Sequence, residues 1–362
     1  MFGVKKYDFT NNSFLNNGII PGSPYSFKEN FVWLKRLLTG PNTNNDNNVD
    51  YISKQSVLNK ITPKYTISFI GDILDVNSRD LLIGKNVKSF VKGSDFLVGN
   101  FEATITDKSL FNGKRHKPQI MDALADLFNP TKTYLSTANN HSGDFGEIDF
   151  FNSVSQLKSR GFHVFGTEET PFLDITHDLR VIGGTQWTNR PCDYLAKLED
   201  STNYIKQGSF NLLFPHWGYE LELFPRNEII DQGFEFLKEF DALIGHHSHC
   251  PQPVSYFPID NDRKLIAYSL GNFCDGKKFE IHNYGILIKA EIGYNAEGKW
   301  QVGQCEWTFL NTSTLSKNEF IIDTIDNFSD FSFNYKTINN RYMANEVYID
   351  NCLEMEQLVA CM

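Results

Sequence analysis

The sequence lacks long hydrophobic runs. No apolar stretch approaches the ~18–20 residues that a membrane-spanning helix needs, and residues 1–8 show no apolar core of a secretory signal. These two absences predict a cytoplasmic protein without a membrane segment. Basic residues are also scarce, because 34 Lys and Arg stand against 44 Asp and Glu, for a net charge of −10. An acidic balance of this kind argues against a nucleic acid as the partner.

Signature motifs of several enzyme classes are missing too. The chain has no phosphate-binding P-loop, no glycine-rich dinucleotide motif after a strand and no nucleophile elbow. Its six cysteines form no CxxC pair, so we expect them to be reduced thiols. Any chemistry must therefore come from other polar side chains.

The chain divides into three parts on its pattern. Residues 1–64 are predicted to be an N-terminal extension with one helix and an Asn-rich loop at 42–48. We expect that helix to dock on the body through Phe31 and Leu34. Residues 65–290 are predicted to form the main domain, and residues 291–362 a C-terminal segment packed on it.

Short strands alternate with helices within the main domain. Buried-strand patterns lie at residues 65–70, 95–98, 134–137, 163–165, 211–214, 242–244 and 265–270. An apolar stripe of Ile148, Phe151, Val154 and Leu157 predicts one helix, and a second is expected around residues 230–237. This alternation indicates an α/β fold.

Polar side chains follow five of these strands, at the ends where ligands collect in α/β sheets. They are Asp72, Asn100, Glu102, Asn140, His141, His216, His247 and His249. Carboxylate, amide and imidazole groups together suit a divalent ion of the Mn, Fe, Zn or Mg class. Because these candidate ligands exceed the four of one tetrahedral zinc, they suit a two-metal site, and one or two such ions are the predicted cofactors.

Each of these residues also has an ordinary structural interpretation. Asp72 and Asn140 are residue types that shape turns, and a single histidine in a loop is usually only hydrogen-bonded or solvated. That ordinary interpretation is our expectation for the other isolated histidines, His116, His163, His177 and His282. The recurrence at five strand ends is what favours a metal site.

The motifs, in their order along the chain, resemble a known family. They are Gly71-Asp72, Asn100-Phe101-Glu102, Ala138-Asn139-Asn140-His141-x-x-Asp144-Phe145-Gly146, His216-Trp217-Gly218-x-Glu220, Gly245-His246-His247-x-His249-x-x-Gln252 and Tyr268-Ser269-Leu270-Gly271-Asn272-Phe273. This series is similar to the CapA/PgsA-type proteins of bacterial capsule and poly-γ-glutamate synthesis, relatives of the calcineurin-like metallophosphoesterases. The resemblance implies a four-layer αββα sandwich.

The resemblance also implies roles for individual residues. Asp72 and His249 would hold one metal ion, and Asn140, His216 and His247 the other. Glu102 would be the bridging carboxylate, with Asn100 as its rival, and His141 the general acid. Residues expected to support the ligands or bind substrate are Asn100, Asp144, Glu220 and Asn272. His246 is expected to face elsewhere.

These roles predict a metal-dependent hydrolase of the phosphoesterase type that acts on a small or polymeric anionic substrate. Leu74 stands where phosphoesterases carry a histidine two residues after the first aspartate. That difference favours an alternative, a non-hydrolytic binding or assembly factor for an anionic polymer such as poly-γ-glutamate. Hydrolysis of a γ-amide bond by the same site is a third interpretation.

Overall fold

Helices and strands alternate in the computed structural model of this protein, which describes Tyr25 and residues 27–40, 54–77, 79–276 and 283–325. The α-helices in these residues are α1 Phe27–Thr39, α2 Lys85–Val91, α3 Ile120–Leu127, α4 Glu147–Ser159 and α5 Asn227–Glu239. The strands are β1 Lys54–Val57, β2 Thr62–Ile73, β3 Asp80–Ile83, β4 Phe96–Asn100, β5 Thr104–Ile105, β6 Arg115–His116, β7 Thr133–Ser136, β8 His163–Phe165, β9 Phe172–Thr176, β10 Leu179–Thr185, β11 Phe210–His216, β12 Ala242–Ile244, β13 Val254–Ile259, β14 Asp262–Ala267, β15 Asn272–Cys274, β16 Tyr284–Tyr294, β17 Trp300–Ser316 and β18 Glu319–Ile325. The mixed α/β class is confirmed.

The strands form two large sheets. The ten-stranded sheet has the order β3-β18-β17-β16-β2-β4-β7-β8, with β1 on β17 and β15 on β2. The six-stranded sheet has the order β13-β14-β12-β11-β10-β9. Strands β2, β4, β7 and β8 run parallel, as do β10, β11, β12 and β14. Each sheet therefore has one edge where the carboxyl ends of several strands meet.

The larger sheet is covered on both faces. Phe69 and Val98 belong to the core that it shares with the smaller sheet, and Phe69 lies 6.5 Å from Phe214 between ring centroids. Their chain neighbours Ile70 and Leu97 belong to a second core, which α2, α3 and α4 cover. Successive residues of a strand point to opposite faces, which explains why these strands are apolar without interruption. Helix α5 contacts β12 and β13 of the smaller sheet.

The buried faces of two helices differ from the sequence prediction. In α4 the buried stripe is Phe150, Val154 and Leu157, whereas Ile148 is 78% and Phe151 37% exposed. Both stripes have helical spacing, and the position of the helix on the sheet selects one of them. In α1 the prediction that Phe31 and Leu34 contact the body is wrong, because both are exposed.

Helix α1 contacts the body through its other face. Phe31 and Leu34 are 65% and 41% exposed, whereas Arg36 is buried and Trp33 and Leu37 pack against the core.

The predicted Asn-rich loop at 42–48 lies outside the described residues. The predicted domain limits stay predictions, and β2 and β16 each run across one of them. Within the described part of the chain, no helix combines the length and apolar character that crossing a bilayer requires.

The carboxylate of Asp262, beside the turn of a surface hairpin, lies where burial disfavours its ionised form. Asp260 and Asn261 form the two-residue turn between β13 and β14, both with positive φ, and Asp262 follows. Its Oδ1 atom is buried without a hydrogen-bond partner. Burial raises the pKa of Asp262 from 3.8 to about 6. The ionised form of this residue therefore opposes folding at neutral pH.

Replacing Asp262 by asparagine should stabilise the protein in a pH-dependent way. The folded-state pKa exceeds the unfolded one, so wild-type stability at this site is highest below pH 3.8 and is lost as the pH rises through about 6. After discounting for partial exposure, we expect Asp262→Asn to gain about 1 kcal/mol in unfolding free energy at pH 7.5 and about a third of that at pH 4.5. Urea unfolding at both pH values measures this. Glu297→Gln, an exposed change in the same surface cavity, is the control; an equal gain at both pH values would contradict the explanation.

Candidate metal centre

The carboxyl ends of the parallel strands bring polar residues together from both sheets. In the larger sheet, Asp72 of β2 pairs with Asn100 of β4. In the smaller sheet, His216 ends β11 and a backbone bridge joins it to His246. Asn100 Nδ2 lies 3.2 Å from His216 Nδ1, so the two sheets meet at this edge.

Gly71 permits the close backbone approach that fixes Asp72. A Cβ atom at position 71 would lie 2.1 Å from the carbonyl oxygen of Gly271. The Asp72 N–H donates to that same carbonyl at 2.8 Å. Because neither backbone can move away without losing this bond, only glycine fits before Asp72.

One part of the centre joins Asp72, Glu102 and His249, which are all buried. His249 Nδ1 lies 3.1 Å from Asp72 Oδ2 and 3.0 Å from Asn272 Oδ1. His249 Nε2 lies 3.6 Å from Glu102 Oε1. The imidazole of His249 is therefore held between two carboxylates.

The other part joins Asn140, His216 and His247. His216 Nε2 lies 2.9 Å from Asn140 Oδ1, 3.0 Å from His247 Nδ1 and 3.7 Å from Glu102 Oε1. One proton on His216 Nε2 makes a good hydrogen bond to a single acceptor, whereas a cation would bind several such atoms at once. Glu102 thus approaches both histidine groups.

The protonation states of these residues fit a cation. Burial lowers the pKa of His247 to about 4, and burial and the adjacent His247 hold the pKa of His216 well below its ordinary value. Burial alone would raise the pKa of Asp72, but the adjacent imidazoles of His246 and His249 outweigh it and hold that pKa well below its ordinary value. Neutral imidazole and ionised carboxylate are the forms that bind metal ions.

Two sets of three residues have ligand atoms that all lie within 4.8 Å of one another. They are Glu102, His247 and His249, and Asp72, Glu102 and His216. Both sets are buried and both contain Glu102. The donor set therefore fits the predicted metal, and these buried groups could hold a divalent ion, whose identity they do not select.

The backbone around the histidine pair is strained. His247 has φ +95° and His249 has φ +54°, a region that residues other than glycine rarely adopt. Each such residue costs of order 1–3 kcal/mol and persists where function requires the geometry. These backbone conformations direct the side chains of His247 and His249, two residues apart, toward the same centre.

His141 lies beside the Asn140 end of the centre. Its Nδ1 atom lies 2.7 Å from Asp144 Oδ2, and the Nδ2 atom of Asn189 lies 3.5 Å from its Nε2 atom. The guanidinium of Arg190, which is partly exposed, lies 4.0 Å from Asp144 Oδ1. The carboxylate of Asp144 orients the ring, and Nε2 remains on the side away from that carboxylate.

Asn100 and Asn272, which were expected to support the ligands or bind substrate, lie at the centre, whereas Glu220 contacts the N-terminal helix. The Asn100 amide donates to Asp72 Oδ1 at 2.7 Å and lies 3.4 Å from Glu102 Oε2. Asn272 contacts His249, as described above. Glu220 lies under α1, where it accepts a hydrogen bond from Trp33 Nε1 at 2.6 Å. The structure therefore brings Asn100 and Asn272 to the centre and joins Glu220 to the N-terminal helix.

The expectation for His246 is wrong. Its Nδ1 atom lies 3.4 Å from Asp72 Oδ1, and its ring packs on Phe214 with centroids 4.1 Å apart.

The sequence did not predict two further residues of the site, Tyr25, whose hydroxyl reaches His247, and Asn189, which reaches His141. The adjacent His246-His247 pair was a visible signal; no sequence motif marks Tyr25 or Asn189.

The chain matches a known protein family. The family model described as bacterial capsule synthesis protein PGA_cap matches residues 50–174 and 176–277, which is more than half of the chain. No curated protein matches the chain. The matched residues include every predicted metal ligand.

Proposed function

This chain belongs to the PGA_cap family of bacterial capsule synthesis proteins, and we propose from that premise that it is a metal-dependent hydrolase of the phosphoesterase type. The observation that carries the proposal is the buried convergence of two carboxylates and three histidines within reach of common cations. A cluster of this composition without a cation leaves buried ionised and polar groups poorly balanced. A divalent ion would balance them.

We propose the following assignment of ligands. Asp72 and His249 hold one ion, Asn140, His216 and His247 a second, and Glu102 is shared. The contacts of 3.1 Å, 2.9 Å and 3.0 Å within these two groups support the division. The two triads within 4.8 Å instead place His247 with His249 and Asp72 with His216, and Glu102 belongs to both. The approach of Glu102 to both His216 and His249 favours it over Asn100 as the bridging residue.

A bound divalent ion would polarise a phosphoryl oxygen and make a water nucleophilic at neutral pH. The chain supplies the remaining chemistry. Water attacks phosphorus and releases a proton to solvent, the bond from phosphorus to the leaving oxygen breaks, and that oxygen takes a proton from His141 Nε2, which regains one from solvent. Asp144 holds His141 in the required orientation, and Arg190 offers a positive charge to an anionic substrate.

We also propose that the two sheets and their helices form the four-layer sandwich of metallophosphoesterases.

Hydrolysis of generic phosphoesters tests the proposal. Metal-stripped protein should gain turnover of p-nitrophenyl phosphate or its diester when Mn²⁺ is restored, and His249→Ala should not. His163→Ala, an exposed change away from the centre, should keep the wild-type rate. A protein that holds Mn²⁺ tightly and hydrolyses neither ester would contradict the hydrolase proposal.

The family description also supports a second candidate, a binding or assembly factor for an anionic polymer such as poly-γ-glutamate. Calorimetry with γ-linked glutamate oligomers tests it. Binding that survives Asp72→Ala, without ester hydrolysis, would favour this candidate. No measurable affinity for the oligomers would remove it. Release of glutamate from the same oligomers would instead identify γ-amide hydrolysis.

Replacing His141 by glutamine should lower the turnover number about 10²–10⁴-fold for esters with poor leaving groups. The loss should be much smaller for p-nitrophenyl esters, because p-nitrophenolate leaves without protonation. Affinity for Mn²⁺ should stay near the wild-type value, since His141 is not among the assigned ligands. Steady-state kinetics across a series of leaving groups measures the difference; an equal loss for all esters would contradict the role of general acid.

A further inference from the structure

Tyr25 joins the N-terminal segment to the candidate metal centre. It lies outside the residues that match the family model and is 6% exposed. Its hydroxyl lies 3.1 Å from His247 Nε2, across 222 positions of the chain, and accepts a hydrogen bond from the Glu220 N–H at 3.0 Å. A residue beyond the family motifs therefore contacts an assigned ligand directly.

The contact involves the ring nitrogen of His247 that faces away from the centre. His247 Nδ1 faces His216 Nε2 at 3.0 Å, and Nε2 faces Tyr25. A neutral imidazole carries one proton, so a proton on Nε2 leaves the Nδ1 lone pair for the centre. The hydroxyl oxygen of Tyr25 can accept that Nε2 proton as well as the Glu220 N–H.

Packing holds Tyr25 and His247 in this relation. The Tyr25 ring stacks on Tyr219 with centroids 6.1 Å apart and meets the edge of Trp187 at 6.0 Å. Trp187 in turn packs on His247 at 5.0 Å. The Tyr25 carbonyl accepts a hydrogen bond from Asn30 Nδ2 at 2.9 Å, which ties it to the first turn of α1.

Helix α1 is also fastened by charged residues in its first and last turns. Arg36 is 3% exposed, lies 2.8 Å from Glu29 and pairs with Glu222. Arg226 lies 2.8 Å from Glu222 and 2.7 Å from Glu29. Two cations and two anions thus balance one another and hold the segment that carries Tyr25.

We propose that Tyr25 is a positioning residue, whose hydroxyl fixes His247 with its proton on Nε2 and its Nδ1 lone pair toward the candidate metal centre. Hydrogen-bond partners of this kind set the ring orientation and proton position of ligating histidines. The inference rests on the proposed metal site for its consequence, but the proton position is a property of the chain itself. It gives residues 25–40 a role in the site that the family motifs do not include.

Nitrogen NMR of metal-stripped protein with ¹⁵N-labelled histidine tests the proton position. His247, identified by its loss in His247→Gln, should carry its proton on Nε2 in the wild type. In Tyr25→Phe, which keeps the ring, an Nε2 proton would lose its acceptor, so the population with the proton on Nδ1 should rise. Tyr219→Phe, which alters the neighbouring ring of the same aromatic group, is the matched control. An unchanged proton position in Tyr25→Phe would overturn the proposal.

Calorimetric titration with Mn²⁺ adds a second measurement. We expect Tyr25→Phe to weaken binding about 10–100-fold, as loss of such partners does elsewhere, with little effect in Tyr219→Phe. The melting temperature of each metal-stripped variant checks that the fold persists. If wild-type protein binds no metal but its His247 proton moves in Tyr25→Phe, the metal site fails and the positioning role stands. If both proteins bind Mn²⁺ equally and the proton stays, the positioning role fails and the metal site stands.

Discussion

Adding Mn²⁺ to metal-stripped protein should raise its melting temperature, and replacing His216 by alanine should abolish the rise. A ligand that binds only the folded state at 100 times its Kd stabilises that state by about 2.7 kcal/mol. At roughly 2–4 °C per kcal/mol for a protein of a few hundred residues, the shift should be about 5–10 °C. His216 Nε2 contacts Asn140, His247 and Glu102, so its loss removes the atom on which half of the centre converges. Differential scanning calorimetry with and without Mn²⁺ measures the effect.

His177→Ala is the matched control for this experiment. The side chain of His177 is 84% exposed and its Nε2 lies 3.6 Å from Asp178, away from the centre. Its variant should respond to Mn²⁺ as the wild type does. If His216→Ala also keeps the full shift, the ion is held elsewhere; if neither protein responds to Mn²⁺, Zn²⁺, Fe²⁺ or Mg²⁺, the proposed centre binds no metal.

Replacing Arg36 by glutamine should release α1 from the body. Removing one partner of a buried ion pair typically costs 3–5 kcal/mol, because the other charge stays buried. Arg226 continues to neutralise part of the charge on Glu29 and Glu222, so we expect the lower end, about 3 kcal/mol. That loss corresponds to amide exchange in α1 that is faster by roughly 150-fold, at 1.36 kcal/mol for each factor of ten. Hydrogen exchange resolved by peptide measures it.

Lys35→Gln removes the same charge from the exposed neighbour of Arg36 and serves as the control. It should leave the exchange rates of α1 within about twofold of the wild type. A rise of less than tenfold in Arg36→Gln would show that the buried pair contributes little to docking. Because Tyr25 precedes α1, the same variant should also weaken the hold on His247.

The α/β class and the position of the polar groups followed from the sequence. The predicted strands are short apolar runs, five of which are followed by polar residues, and such runs form parallel strands with both faces covered. Asp72, Asn100 and His216 were therefore expected at the sheet edge where they lie. The antiparallel strands β16–β18 were not predicted, because none of them is a short apolar run followed by a polar motif.

The buried faces of α1 and α4 could not be predicted in the same way. Each helix has two apolar stripes with suitable spacing, and the choice between them depends on where the helix meets the sheet. Phe150 is buried rather than Phe151 because α4 packs on the larger sheet through that side. Arg36 lies inside because the carboxylates of Glu29 and Glu222 neutralise it. The pair with Glu222 spans 186 positions, which no local pattern contains.

The sequence by itself determined the fold class and the family and indicated most residues of the candidate metal centre, since all of these depend on local pattern and residue chemistry. Only the tertiary structure decided which of these residues touch. It turned His246 toward Asp72, brought Glu102 between the two histidine groups, and joined Tyr25 to His247. Contacts between distant segments depend on how sheets and helices pack as a whole, and the free energy of that packing is spread over the entire core.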